Sequence, residues 1–196
     1  LWDTYRAEHP LMNIIQPKKS ADMVASMIAH QQQSVHGMLP IWSHMGNENW
    51  CMSGYHAVPV LSDAIVKGVY KSSDDAFNAM VSTSTVPYYA GLGEYMELGY
   101  VPMDKVSTAA STTLEYAYDD WTIYSAAKKA GREDIAQEYM KRALFYRNIY
   151  DRELGFARPR FRLHRLDARL RHSRFVRIQR SSFAYQRHAR PLGRRR

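Results

Sequence analysis

The sequence predicts an all-α fold, and three observations lead to that prediction. Apolar residues recur at helical spacing in several successive segments, short turns containing glycine join these segments, and no segment alternates apolar and polar residues as a half-buried strand does. Of the 196 residues, 45% are apolar and 23% are charged, a composition typical of a globular domain that excludes a wholly disordered chain. No stretch approaches the roughly 20 apolar residues of a membrane helix, so no membrane span is expected.

The first two predicted helices cover residues 17–35 and 51–67, and a glycine follows each of them. Ser20 is the predicted N-cap of the first helix. The second is expected to be irregular in its first turns because Pro59 lacks a backbone N–H group. The apolar residues at helical spacing are Met23, Val24, Met27 and Ile28 in the first helix, and Val58, Leu61, Ile65 and Val66 in the second.

Three further helices are predicted, from residue 74 to the proline at 87, over 111–130, and over 132–150. Asp74 and its acidic neighbour suit the positive end of the first of these helices. The last two are expected to form an antiparallel hairpin around Gly131. Their buried sides are predicted to be Leu114, Ala117, Tyr118, Trp121, Tyr124 and Ser125 in one helix, and Ile135, Tyr139, Ala143, Tyr146 and Ile149 in the other.

The net charge of +8 comes from one end of the chain. Residues 1–156 carry 13 Lys and Arg against 18 Asp and Glu, whereas residues 157–196 carry 14 Arg, no Lys and only one acidic residue. All four tryptophans and all ten methionines lie in the first segment. The sequence therefore predicts two compositionally different parts, a body over 1–156 and an arginine-rich tail over 157–196 that is either disordered or the product of a frameshift near residue 160.

The connection at residues 39–56 is the richest in chemically useful side chains. It contains two Trp, two His, one Glu, two Asn, a Tyr and the single Cys, a mixture that suits a polar ligand better than a hydrophobic core. Glu48 is its only acidic residue, and aromatic neighbours would favour the protonated carboxyl group that a general acid needs. The structural alternative is that Trp42 fills the core, that His56 is a satisfied core histidine, and that Glu48 caps the next helix.

Two other segments also place aromatic side chains beside acidic ones. Asp3 lies in an aromatic, acidic and basic run at the start of the chain, and Asp120 directly precedes Trp121 in a helix of mostly apolar and small residues. Aromatic rings beside carboxylates suit a sugar, because the ring face stacks while the acid binds hydroxyls. Cys51 and His56 are only a weak signal for a thiol nucleophile, and no zinc, nucleotide or dinucleotide motif is present.

Four ordered blocks of sequence resemble glycoside hydrolase family 92, the calcium-dependent α-mannosidases, over about residues 1–160. The central block consists of Gly37-Met38-Leu39-Pro40-Ile41-Trp42, Gly46-Asn47-Glu48 and Cys51-Met52-Ser53-Gly54-Tyr55-His56. The others are Trp2-Asp3-Thr4-Tyr5-Arg6 with His9-Pro10 and Gln16-Pro17, then Thr113-Leu114-Glu115-Tyr116-Ala117-Tyr118-Asp119-Asp120-Trp121, and finally Tyr150-Asp151 with Gly155-Phe156.

The resemblance implies an exo-acting enzyme that releases terminal α-mannose from glycans, including N-glycans, with inversion and with Ca²⁺ as cofactor. It implies that the chain is a partial catalytic domain, a fragment of an (α/α)6 toroid built from helical hairpins, and that an N-terminal β-sandwich is missing. The bacterial members usually act outside the cytoplasm, so the resemblance predicts a periplasmic or secreted protein.

The resemblance also assigns roles to residues of this sequence. Glu48 stands at the position of the general acid, and the predicted substrate-binding residues are Asp3, Trp42, Asn47, Cys51, His56 and Asp120. The base that activates water, and much of the calcium site, lie downstream of the matched region in the family, so the metal ligands are unknown and the chain is predicted to be inactive. Asn49 departs from the family, which more often has threonine there, and the sequence after Arg160 departs entirely.

Two other classes of function remain open from the sequence. The first is a helical binding protein whose arginine-rich tail contacts nucleic acid or an anionic surface, with salt-sensitive affinity but no sequence specificity. The second is a carbohydrate-binding remnant that binds mannose without cleaving it. The placement of the aromatic and carboxylate loop in the acidic body favours the glycosidase, because a nucleic-acid module would not require that loop.

Overall fold

The structure is a computed structural model that describes residues 1–162. Within this range the chain is mostly helical, as predicted, and Leu1–Phe161 form one compact unit. Seven α-helices are present among the described residues, namely α1 (Glu8–Ile15), α2 (Pro17–Gln33), α3 (Ala57–Val66), α4 (Asp74–Thr83), α5 (Leu92–Leu98), α6 (Ala109–Ala130) and α7 (Glu133–Ala143), and a 3-10 turn at Leu144–Asn148 extends α7. The toroid that the resemblance implies would be completed by further hairpins and stays a prediction.

Two very short antiparallel ribbons accompany the helices, one between α2 and α3 and one after the 3-10 turn. In the first, β1 (Ser43–His44) pairs with β2 (Asn47–Glu48), and in the second, β3 (Tyr150–Asp151) pairs with β4 (Phe156–Ala157). Neither ribbon was predicted from the sequence, because each strand has only two residues, too few for an alternating pattern of apolar and polar residues to be visible.

The helix α6 is the centre of the unit, with α7 and α3 packed along it. Aliphatic and aromatic side chains form the core, among them the fully buried Phe77, Leu61 and Ile123. The hairpin of α6 and α7 around Gly131 is confirmed, and Gly131 takes the left-handed conformation that ends α6.

The predicted buried face of α6 is correct for Ala117 but wrong for three of its large apolar members. Leu114, Tyr118 and Trp121 are 41%, 42% and 50% exposed, while the opposite side of the helix, with Tyr116 and Asp120, is buried. Apolar periodicity did not identify the buried face, because that face contains polar side chains that form hydrogen bonds inside the fold. Its buried members are Ala109, Thr112, Thr113, Tyr116, Ala117, Asp119, Asp120, Thr122, Ile123, Ala126 and Ala127.

Two local predictions also need correction. Ser20 is not an N-cap, because α2 starts at Pro17 and Ser20 is the buried fourth residue of the helix, where its hydroxyl donates to the side-chain oxygen of Asn13. Pro59 is the third residue of α3, and its missing N–H group does not interrupt the helix because no intrahelical bond is needed there.

The end of the described chain packs onto the body. The N–H group of Met103 donates to the carbonyl oxygen of Arg160 at 2.7 Å, and the hydroxyl of Tyr100 donates to that of Phe161 at 3.0 Å. These contacts continue past residue 156, where the sequence analysis placed the boundary. The remainder of the predicted arginine-rich tail, residues 163–196, lies outside the described residues.

Candidate active site

Glu48 lies on the ribbon of β1 and β2. Met45 and Gly46 form its two-residue turn, with φ angles of 51° and 78°, both in the left-handed region that such a turn requires. Glycine adopts this region at no steric cost, whereas Met45 does so under strain. The ribbon therefore sets Glu48 at a defined position on a short, mostly exposed hairpin.

Four backbone N–H groups donate to the half-buried carboxylate of Glu48. The N–H group of Ile41 lies 2.7 Å from Oε2, that of Trp42 lies 2.9 Å from Oε1, and those of Asn49 and Trp50 lie 3.0 and 3.1 Å from Oε1. The backbone therefore binds both oxygens of the Glu48 side chain and fixes its orientation.

The segment after Glu48 is exposed and strained. Trp50 and Met52 have φ angles of 60° and 70°, and both side chains are more than a third exposed. Non-glycine residues in the left-handed region are uncommon and concentrate at functional sites. We call residues 41–54 the Glu48 loop.

His56 lies just beyond this loop, inside a buried charged cluster. Its Nδ1 lies 2.7 Å from Oδ1 of Asp119, its Nε2 lies 3.3 Å from Oε2 of Glu115, and its ring stacks on Tyr5 with centroids 4.1 Å apart. Burial acts to lower the pKa of His56, but the carboxylates of Asp119 and Glu115 outweigh it and raise that pKa to about 9. His56 is therefore a charged, fully enclosed side chain that ties α3 to α6.

A second buried cluster surrounds Asp120. Its carboxylate accepts hydrogen bonds from the hydroxyls of Tyr55 at 2.7 Å and Tyr95 at 2.9 Å, and from Nε of Arg142 at 3.0 Å. Burial raises the pKa of Asp120 to about 6, although Arg142 opposes this shift. The guanidinium of Arg142 also donates to the carbonyl oxygen of Ser84 at 2.7 Å, so this cluster joins α6, α7 and the end of α4.

The structure brings some of the predicted site residues together. Trp42, Asn47 and Cys51 all lie on the Glu48 loop, where Asn47 and Cys51 are exposed and Trp42 is half-buried. Asp3 is exposed in the first turn of the chain.

The remaining two predicted residues are enclosed. His56 is 1% exposed and Asp120 is 0% exposed. The carboxylate of Asp120 is hydrogen-bonded, and Nδ1 of His56 is bonded to Asp119, whereas Nε2 of His56 is buried without a hydrogen bond. The structural alternative stated from the sequence, a core histidine, matches the burial of His56, but only one of its two ring nitrogens is hydrogen-bonded.

Sequence reasoning missed several residues of these clusters. Arg142, Tyr55 and Tyr95 are distant in sequence from Asp120, and Tyr89 is distant from the Glu48 loop, so only tertiary packing brings them together. One signal was available, since Arg142 lies on the same side of its predicted helix as Tyr139, which was expected to be buried. An arginine on an apolar face indicates a buried acidic partner.

The His56 cluster predicts a specific pH dependence of stability. The folded-state pKa of His56, about 9, lies above the ordinary value of 6.5. The stability that the charged His56 contributes is therefore fully present below pH 6.5 and is lost as the pH rises through 9. We expect the free energy of unfolding to fall over that window by on the order of 3 kcal/mol. Urea unfolding at a series of pH values measures this.

The matched variants for this measurement are His56→Asn and His30→Asn. The first should remove most of the fall between pH 6.5 and 9, and the second, which changes a histidine on α2, should retain it. An equal pH dependence in the chain and in His56→Asn would show that His56 is not held in its charged form.

Calcium takes six to eight oxygen ligands. In residues 1–162, no group of three or more His, Cys, Asp or Glu side chains is arranged to hold a metal ion. The buried carboxylates are already paired, Asp119 with His56 and Asp120 with Arg142. The described residues therefore do not fit a calcium site by themselves.

The described residues form helical hairpins that carry an acidic and aromatic loop. The chain belongs to glycosyl hydrolase family 92, because the sequence profile of the catalytic domain of that family matches residues 1–182. This match extends into the arginine-rich segment. No curated protein matches the chain significantly.

Solved structures of the family share the fold of this chain. A family 92 α-mannosidase from Bacteroides thetaiotaomicron is 52% identical with a TM-score of 0.78, covering 82% of this chain and 22% of its own. A structure of the same enzyme in complex with mannoimidazole gives the same identity and TM-score, with 21% of its own chain covered. An inverting family 92 mannosidase from Bacteroides thetaiotaomicron VPI-5482 is 36% identical with a TM-score of 0.73, again covering 82% and 22%. The chain thus spans about a fifth of the length of these enzymes.

Proposed function

We propose that this chain is a part of the catalytic domain of an exo-acting α-mannosidase, in which Glu48 is the general acid for the release of terminal α-mannose from glycans with inversion. The observation that carries the proposal is the placement of Glu48 on an exposed, strained loop that lies within the family match. Two similar enzymes support the proposal, because one is an inverting mannosidase and the other has been solved in complex with mannoimidazole.

In this role Glu48 gives its proton to the glycosidic oxygen as the bond to mannose breaks. The N–H groups of Ile41, Trp42, Asn49 and Trp50 then stabilise the carboxylate that remains. To hold the proton beforehand, one carboxyl oxygen has to turn away from these donors. The proposal therefore requires the segments that complete the active site to reshape the Glu48 loop.

An inverting enzyme also needs a base, whose carboxyl group lies about 6.5–9.5 Å from the acid so that a water molecule fits between the two. Asp119 and Asp120 are fully buried and paired with His56 and Arg142, so neither is available to take a proton from water. We place the base, and the ligands of the Ca²⁺ ion that the family uses, outside residues 1–162, and we expect the chain alone to be inactive.

The mannose-binding surface is proposed to include the side chains of the Glu48 loop that are open to solvent. Trp50 is 40% exposed and its N–H group donates to the Glu48 carboxylate, so its indole is proposed to stack on the sugar. Asn47 and Cys51 are exposed on the same loop, and Asp3 is exposed in the first turn of the chain. His56 and Asp120 are proposed to support this surface from inside.

The proposal is tested by replacing the matched segment of the 52% identical α-mannosidase with residues 1–160 of this chain. We expect the chimera to hydrolyse α-mannosides and expect Glu48→Gln in it to lower kcat by about 10²–10⁴-fold. The loss should be larger for substrates with poor leaving groups than for activated aryl mannosides, because only the former depend on protonation. Glu138→Gln, at an exposed glutamate of α7, is the control and should leave kcat unchanged.

The 196-residue chain itself is tested with Ca²⁺ and an aryl α-mannoside. We expect no turnover above that of its Glu48→Gln variant, and clear turnover would mean that a base is present after all. Binding of mannoimidazole without turnover would match a carbohydrate-binding remnant. The alternative function is a helical binding protein whose arginine-rich tail, residues 157–196, contacts nucleic acid or an anionic surface. Residues 163–196 of that tail lie outside the described residues.

We further propose that the intact enzyme acts in the periplasm or outside the cell, as bacterial members of the family usually do. No helix within residues 1–162 has the length and hydropathy to cross a membrane.

A further inference from the structure

Tyr89 contacts three residues of the Glu48 loop at once. Its side chain is 2% exposed, and its hydroxyl donates to the carbonyl oxygens of Gly54 at 2.9 Å and Met52 at 3.3 Å. Its ring packs against the indole of Trp50, with centroids 5.5 Å apart. One side chain therefore supports alternate residues along the strained part of the loop.

This strained part is directly linked to Glu48. Trp50 and Met52 both have left-handed backbone conformations, which cost about 1–2 kcal/mol each and persist only where the surroundings hold them. In its left-handed conformation Trp50 points its N–H group at Oε1 of Glu48, 3.1 Å away. A change in the backbone at Trp50 would therefore move a donor away from the carboxylate.

The backbone next to Tyr89 is tightly packed and hydrogen-bonded. The glycine two residues later, Gly91, has a φ of 75° and packs so closely that an added Cβ would lie 2.8 Å from Val101. The hydroxyl of Tyr116 donates to the carbonyl oxygen of Ala90 at 3.2 Å. Burial, and then the charge of Glu48, raise the pKa of Tyr89, so its hydroxyl keeps the proton that it donates.

We propose that Tyr89 is a positioning residue for Glu48: it holds the backbone of Trp50 and Met52, and through the N–H groups of Asn49 and Trp50 it sets the orientation of the Glu48 carboxylate. The inference rests on the proposed function in so far as Glu48 is the acid. Tyr89 does not contact Glu48 through a hydrogen bond of its own and acts through the loop.

The test uses Tyr89→Phe, which removes the hydroxyl and keeps the ring, in the 196-residue chain. Amide hydrogen exchange followed by NMR should show the N–H groups of Asn49 and Trp50 exchanging about tenfold faster, as expected for the loss of one hydrogen bond that holds the loop. Those of Ile41 and Trp42, on the other side of the carboxylate, should be unchanged. A merely structural role would accelerate all four equally, and that result would overturn the proposal.

Tyr100→Phe is the matched control. Tyr100 is also buried and its hydroxyl also donates to a backbone carbonyl, that of Phe161, away from the Glu48 loop. It should leave the exchange of Asn49 and Trp50 unchanged, and equal effects of Tyr89→Phe and Tyr100→Phe would contradict the proposal.

A second variant keeps the proposal testable if Tyr89→Phe does not fold. Trp50→Leu removes the ring that packs on Tyr89 at a partly exposed position and keeps every backbone donor. It should accelerate exchange at Asn49 and Trp50 alone, whereas no acceleration would show that the Tyr89 contact does not hold the loop. Exchange does not depend on hydrolysis, so this result is separate from the turnover that tests the proposed function.

Discussion

Replacing Arg142 by methionine is expected to destabilise the chain by about 3–5 kcal/mol at neutral pH, the usual cost of leaving one partner of a buried ion pair alone. Arg142 is 5% exposed and donates to Asp120, which is 0% exposed, at 3.0 Å. Methionine keeps much of the apolar volume of the side chain but leaves the Asp120 charge with only two hydroxyl donors. Since a domain of this size is stable by about 5–15 kcal/mol, the variant should be close to unfolding.

The loss should depend on pH in a defined direction. The pKa of Asp120 is raised from 3.8 to about 6 in the folded chain, so its ionisation already lowers stability as the pH rises from about 4 to 6. Without Arg142 the folded-state pKa rises further, and the fall in stability extends to higher pH. Urea unfolding of Arg142→Met should therefore show a smaller loss at pH 5 than at pH 7.

Two further variants separate the unpaired charge from the lost packing. The double variant with Asp120→Asn should be more stable at neutral pH than Arg142→Met alone, because no unpaired buried charge remains. Lys128→Met removes an exposed ion pair, with Glu133, and should change stability little. If the double variant were the less stable of the two, the carboxylate of Asp120 would not be the source of the loss.

The helices were predictable because they depend on local sequence. The beginning of α4 at Asp74, and the end of α6 at Gly131, follow from acidic and glycine residues at positions where helix ends favour them. The ribbon that carries Glu48 was not predictable in the same way. Its turn uses Met45 in a left-handed conformation, and nothing local in methionine favours that.

The residues of the candidate site were also predictable only where they are neighbours in sequence. The residues of the Glu48 loop were found because they are neighbours in sequence, whereas the clusters beneath it were missed because their members are distant. Asp120 was expected to contact substrate, yet it is enclosed by Tyr55, Tyr95 and Arg142, three residues that a linear pattern does not connect to it. The buried face of α6 shows the same limit, since Asp119 and Asp120 occupy positions that apolar periodicity assigns to solvent.

The second large effect is expected from Gly54→Ala. Gly54 has a φ of 88°, and a Cβ atom built on it would lie 2.4 Å from Nε2 and 2.5 Å from Cε1 of His56. The His56 ring has no room to retreat, because it is bonded to Asp119 on one side and stacked on Tyr5. The variant should therefore both strain the backbone and displace His56 from its carboxylate partners.

Gly46→Ala provides the matched control, because Gly46 has a similar φ of 78° but no atom within 4 Å of the added Cβ. We expect Gly46→Ala to cost about 1–2 kcal/mol, the ordinary cost of a left-handed alanine. Gly54→Ala should cost about 1–3 kcal/mol more, the range for forcing an extra carbon into a packed interior. It should also weaken the fall in stability between pH 6.5 and 9, because a displaced His56 loses the carboxylates that raise its pKa. Equal costs for the two alanines would mean that the His56 ring yields easily and that its cluster does not fix the end of the Glu48 loop.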